Sequence, residues 1–199
     1  MGTSARPYRQ TARAAATQQL RQRIVLAFHD LLMSRWMDEI TLDEVATSAG
    51  TTRQTVIRLF GGKEGLLEAV IEIVWSKALP RLTLPHNVPR QTIVKSLIEH
   101  YEAAGDITVR LLAQEERHPA LRPPLERGRR GHRAWVEDRF GASLSGTSHR
   151  ERQRQIARLI VATDVYTWKL LRRDLGNSKD EVRALVAGLI DSIMRDDTA

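Results

Sequence analysis

Apolar positions recur at helical spacing along most of this 199-residue chain. Leu20, Ile24, Ala27, Phe28, Leu31 and Leu32 form one stripe and predict a first helix over about 17–36. Leu42, Val45, Ala46 and Ala49 form a second, shorter one. Its start is marked by Thr41 and Glu44, spaced to cap each other's backbone amides, and by Ile40, placed to staple onto Val45. Gly50 ends it, and a third helix opens at Thr51 or Thr52 with Val56, Leu59 and Phe60 on its inner side. Gln54 is spaced to complete a capping box from Thr51. A fourth helix, 64–78, carries Leu67, Val70, Ile71 and Val74 on one face, and Pro80, Pro85 and Pro89 then mark a loop.

Beyond the loop the pattern predicts a helix over 91–104 ended by Gly105, and another over 106–117. Pro119, Pro123 and Pro124 precede a helix that reaches Phe140 with Gly128 and Gly131 inside it. A loop at 141–148 leads to a long helix, about 150–175, ended by Gly176, and Ser178 with Glu181 caps the last one. No strand alternation or repeat interrupts this. The fold class is all-α: an amino-terminal unit of three helices over 17–63, preceded by an arm at 1–16, and a carboxy-terminal helical bundle over 64–199.

Two short helices joined by a glycine turn are the sequence form of a DNA-reading helix-turn-helix. Thr52, Arg53, Gln54, Thr55 and Arg58 lie near the exposed face and amino end of the second helix, where base edges are met. Arginine forks onto guanine, glutamine onto adenine, and threonine offers a methyl to thymine. Lys63 is placed for a phosphate, which positions without reading sequence. Thr41 and Thr51, at the two helix starts, complete the DNA-facing set. The plain alternative is a pair of capped helices with a polar outer face.

Residues 20–70 resemble the DNA-binding domain of the TetR family of ligand-controlled transcriptional regulators. The likeness rests on Thr41, Glu44, Val45, Ala46, Ala49-Gly50, Thr52, Thr55, Arg58, Phe60 and Lys63-Glu64-Gly65-Leu66. Three positions depart from the family pattern: Ile57 stands for a tyrosine, Leu59 for a histidine or tyrosine, and Gly61 for a proline. The lost tyrosine removes one phosphate contact that the family pattern implies.

The formal charge of +7 and a pI near 10.3 favour an anionic partner. Residues 1–63 hold nine Arg or Lys against five Asp or Glu, so over half the excess lies in under a third of the chain. Arg6, Arg9 and Arg13 sit in a stretch without acidic residues or apolar period, which reads as a flexible basic arm along DNA or as a solubilising tail. The absence of cysteine excludes disulfides and thiolate sites. No apolar run approaches a membrane span and no signal-peptide core is present, so a soluble, cytoplasmic protein without a membrane partner is expected.

Residues 156–171 are apolar on nearly every side, and a helix of that kind needs cover on both faces. A second copy of the chain is one such cover, with Leu159, Tyr166, Leu170, Leu185, Leu189 and Ile193 as interface candidates. Burial inside one bundle is the other reading, and the resemblance favours the homodimer. A two-fold dimer implies a palindromic double-stranded operator.

The resemblance also implies a small-molecule effector of unknown identity, bound in the carboxy-terminal bundle. Trp75, Tyr101, Leu111, Trp135 and Trp168 are candidate lining, with Leu112, Phe140 and Tyr166, although an aromatic at helical spacing is more often plain core than pocket wall. Asp164 lies among Ile160, Val161, Thr167 and Trp168 at helical spacing, so it needs either an arginine partner or a ligand group, and Glu115 is its alternative as ligand anchor. By the same resemblance, a repressing apo dimer is released when the effector binds its DNA-incompetent state more tightly, through tilting of the fourth helix.

Two rival classes remain open from the residues. A helical-bundle enzyme would need a site. Yet the six histidines lack helical metal-ligand spacing, the 115–118 cluster reads as a solvated helix end, and neither a phosphate-cradling loop nor paired catalytic carboxylates is present. The expectation is therefore no catalysis, no metal and no cofactor. A protein coating DNA without a specific operator is the other rival. The arginine-rich 122–133 segment reads as a solvated face or as an anionic-ligand contact.

Overall fold

The computed structural model describes residues 5–144 and 148–195, and among them every regular element is helical. The chain falls into two compact units that divide between Ile73 and Val74.

The first unit holds α1 (Ala5–Ser34), a short 3-10 turn at Met37–Glu39, α2 (Leu42–Ser48), α3 (Arg53–Phe60) and the larger part of α4 (Lys63–Ala78). Helix α1 starts well before residue 17. Residues 12–19 are Ala, Arg, Gln and Thr, mostly strong helix formers that extend a helix without an apolar stripe to announce it. Residues 1–4, the outer end of the expected arm, lie outside the described residues. Ile24, Phe28, Leu32, Ile40, Val45, Val56 and Leu66 are fully buried and form the centre of this unit. Leu67, Val70 and Ile71 are buried as well, which extends the unit to Ile73, beyond a boundary at 63.

The second unit is built from α5 (Arg90–Leu112), α6 (Arg122–Phe140), α7 (His149–Thr163), α8 (Val165–Lys169) and α9 (Lys179–Arg195). Helix α8 runs into one wider, π-type turn at Leu170–Asp174. Helix α5 packs against α8 and α9, α7 against α9, and α6 against α7. Leu97, Ile98, Val136, Ile156, Leu159, Trp168, Val182 and Ile190 lie in one core. Among the described residues no helix is long and apolar enough to cross a membrane.

Two predicted breaks move. Gly105 does not end a helix; α5 passes through it, and a Cβ there would lie 2.3 Å from the Trp168 ring. The glycine is a slot for an indole. Conversely, the long helix over 150–175 is broken at Asp164, whose backbone is extended (φ −74°, ψ 153°) and whose carboxylate accepts the Tyr166 amide at 2.8 Å. An aspartate that caps a new helix ends the old one. Gly128 and Gly131 leave α6 uninterrupted.

Candidate nucleic-acid interface

The start of α2 is locked as its residues require. The Glu44 amide donates to Thr41 Oγ1 at 3.2 Å, and Glu44 Oε2 accepts the Thr41 amide at 2.7 Å. Arg35 adds a hydrogen bond to Glu44 Oε1 at 2.6 Å. The Arg35 guanidinium, with the Thr41 donors, brings the Glu44 carboxyl down to about 2. Gly50 takes the left-handed conformation (φ 65°) that lets the chain turn into α3.

Helix α3 is capped by Thr52, not Thr51: Thr52 Oγ1 accepts the Thr55 amide at 3.3 Å and meets the Thr55 hydroxyl at 3.0 Å. Gln54 therefore completes no capping box and stays exposed beside Arg53. Val56 is fully buried, while Thr52, Arg53, Gln54, Ile57 and Arg58 are exposed. Arg53 lies 3.6 Å from Asp43, an exposed pair of the kind that contributes little and yields readily to a better partner.

The far end of α3 is held by a residue that sequence reasoning missed. Arg21, on α1, donates to the Leu59 carbonyl at 2.7 Å and lies 4.5 Å from the Phe60 ring centroid. A cation at a helix carboxy terminus satisfies an orphan carbonyl and the dipole together. Its sequence signal was only a cation on the stripe side of α1. Lys63 sits differently from the expectation: its ammonium donates to the Met37 carbonyl at 2.8 Å, tying α4 to the turn before α2. Thr41 likewise has its hydroxyl engaged in the cap, donating to Glu44 Oε2 at 2.8 Å.

Residues 27–70 match the family described as "Bacterial regulatory proteins, tetR family". Over these residues the chain is similar to the amino-terminal domain of TetR-family regulators. Over 62 residues, 31% of this chain, it is 40% identical to the HTH-type transcriptional regulator AlkX of Mycobacterium tuberculosis. Over 58 residues, 29% of the chain, it is 38% identical to the uncharacterized HTH-type transcriptional regulator TtgW of Pseudomonas putida. These matches span 28% and 43% of the two relatives' own lengths, well under two thirds of either. The fold likeness is broader. A tetR-family transcriptional regulator from Streptomyces coelicolor aligns with a TM-score of 0.67 at 17% identity, covering 90% of this chain and 82% of its own. A transcriptional regulator from Rhodococcus sp. Rha1 aligns with a TM-score of 0.64 at 17% identity, covering 88% and 96%. The all-α architecture expected from the sequence is thus the TetR fold.

In the second unit of this TetR-fold chain, the effector candidates stand in different surroundings. Tyr101, Leu111 and Trp168 are buried in core packing. The Tyr101 hydroxyl donates to the Thr163 carbonyl at 2.8 Å, and Trp168 Nε1 to Glu102 at 3.0 Å. Glu115 is held by a two-pronged contact from Arg129, at 2.7 and 3.0 Å, which lowers its carboxyl. Much of the 122–133 cationic face is likewise engaged: Arg129 and Arg130 with Glu126, Arg133 with Glu137, and Arg127 over the Trp75 ring. Trp135 differs, because its indole nitrogen is buried without a hydrogen-bond partner, as is Gln155 Oε1 on α7.

Among the described residues Asp164 meets no arginine of the expected kind. Its carboxylate caps α8 and stands 3.8 Å from His132 Nδ1, whose other ring nitrogen meets Thr163 Oγ1 at 2.9 Å. Burial holds His132 below the ordinary histidine value, against the pull of the Asp164 carboxylate. The folded form therefore takes up a proton later than the unfolded chain as pH falls. Stability is full above about 6.5 and declines as pH drops from there towards the folded value. Urea denaturation between about pH 5 and 8 should show that decline in the wild type and less of it in His132→Gln.

The dimer candidates separate into two groups. Leu159 is fully buried in its own bundle, so it cannot meet a partner subunit. Tyr166, Leu170, Leu185 and Leu189 are exposed, Ile193 is half-buried, and Val161 is the most exposed of the large apolar side chains at 67%. Ala157, Arg158, Val161, Ala162, Thr167, Leu189 and Ile193 line an open, apolar groove of about 420 Å³ on the α7 and α9 face. Among the described residues no group of three His, Asp or Glu is placed to hold a metal ion.

Proposed function

We propose that this chain is a one-component transcriptional regulator that binds a palindromic operator as a homodimer. The observation that carries the reading is the outer face of α3. It sets Arg53, Gln54 and Arg58 side by side, on a helix fixed at its start by Thr52 and at its end by Arg21. A rigid helix with forked donors on one exposed face is what base-edge reading needs. Both curated relatives are named as transcriptional regulators, which favours this class over a helical-bundle enzyme.

The homodimer is supported by the apolar groove and by Val161, Leu185 and Leu189 around it, a surface that favours cover by a second subunit. Control by a small molecule is supported by the Trp135 indole and the Gln155 carbonyl, a buried donor and a buried acceptor on packed helices that a polar ligand would satisfy. In this reading the effector favours the DNA-incompetent form and lifts repression.

The test is selection of genomic duplex fragments by the purified protein at physiological salt, with non-specific competitor. Recovery of one palindrome is expected, and Arg53→Ala should weaken it by about 1–3 kcal/mol per half-site. Recovery of bulk DNA without a motif would instead identify a coating protein.

A further inference from the structure

Ile57 is the one apolar side chain on the exposed arc of α3, and the inference drawn from it rests on the DNA-binding reading above. Successive residues of a helix are about 100° apart. Arg53, Ile57, Gln54 and Arg58 therefore follow one another around the outer arc, with Val56 on the buried side. Ile57 is 42% exposed in this position, flanked by the two side chains best suited to forked contacts with bases.

Ile57 is not one of the buried side chains that form the centre of the unit, and a β-branched side chain is a weaker helix former than alanine or the long polar residues. Isoleucine also makes no hydrogen bond to a phosphate or to a base edge. The major groove offers one apolar feature, the 5-methyl group of thymine. Burying a methyl against the branched Ile57 side chain removes water from both.

We infer that Ile57 is a specificity-determining residue that reads the 5-methyl group of a thymine in each operator half-site. Arg53 and Gln54, on either side, then read the neighbouring base edges, and the apolar contact between them excludes water from those hydrogen bonds.

The experiment uses the selected operator with each thymine replaced in turn by deoxyuridine, which removes the methyl and leaves pairing unchanged. Affinities are measured by fluorescence anisotropy for the full-length wild type and for Ile57→Ala. In the wild type one thymine position should lose about fourfold per methyl removed, and about fifteenfold when both half-sites are changed. Ile57→Ala should bind the thymine and deoxyuridine operators equally at that position, with an unaltered melting temperature. A wild type indifferent to every deoxyuridine, or a variant as sensitive as the wild type, overturns the assignment while leaving DNA binding intact. Failure to select any operator overturns the DNA-binding reading first and this inference with it, before any modified duplex is made.

Discussion

Gly65→Ala is expected to destabilise the protein by about 3 kcal/mol, at the upper end of ordinary overpacking, and to abolish operator binding. A Cβ at Gly65 would lie 1.9 Å from the Phe60 carbonyl oxygen, on the last residue of α3. The obstacle is backbone, so no rotamer change relieves it. The chain between them is already specialised, since Gly61 takes the left-handed conformation (φ 77°) and donates its amide to the Ile57 carbonyl at 2.7 Å. Displacing Phe60 also strains the Arg21 contacts with Leu59 and the Phe60 ring. The sign makes this prediction sharp. Alanine in a helix interior is otherwise favoured over glycine by about 1 kcal/mol. Gly131, in α6, has nothing within 4 Å of its absent Cβ, so Gly131→Ala should be neutral or stabilising. The urea midpoint of Gly65→Ala should fall, while that of Gly131→Ala should hold or rise. A stabilised Gly65→Ala would show that α3 and α4 separate freely at this junction.

Features that depend on a few adjacent residues were legible in the sequence. The capping pairs Thr41 with Glu44 and Ser178 with Glu181 form as their spacing implies, and Gly50 and Gly176 turn the chain with positive φ. Features set by a distant partner were not. Nothing near Gly105 announces Trp168, so the glycine reads as a terminator. Asp164 hides in an apolar run because a capping aspartate and a mid-helix aspartate look alike without the ψ angle. The same run cannot say that Leu159 faces its own core while Val161 faces out. Lys63 followed a reasonable rule about cations near DNA, yet carbonyls brought close by the turn at Met37–Glu39 engage it. The exposed face of α3 was legible because the buried side of a short helix, here Val56, defines its outer side.

The Gly105 and Trp168 pair gives the second large effect. Trp168 is 1% exposed, so Trp168→Ala leaves an indole-sized void and should cost about 3–5 kcal/mol. Its polar loss is the smaller part. Glu102, which accepts from Trp168 Nε1, keeps the Arg172 guanidinium at 3.0 Å and is not left uncompensated. Gly105→Ala acts from the other side, forcing a methyl against the same ring at a cost of about 1–3 kcal/mol. These two losses have one physical origin, the seat of the indole on α5, so they should not add. Once the ring is absent, the methyl introduced by Gly105→Ala enters vacant space and restores some helix propensity. The double variant should therefore be no less stable than Trp168→Ala alone, giving a coupling of about 1–3 kcal/mol in a double-mutant cycle. Chemical denaturation of the four proteins at one pH checks it. Simple additivity would mean that Gly105 is there for some reason other than the ring.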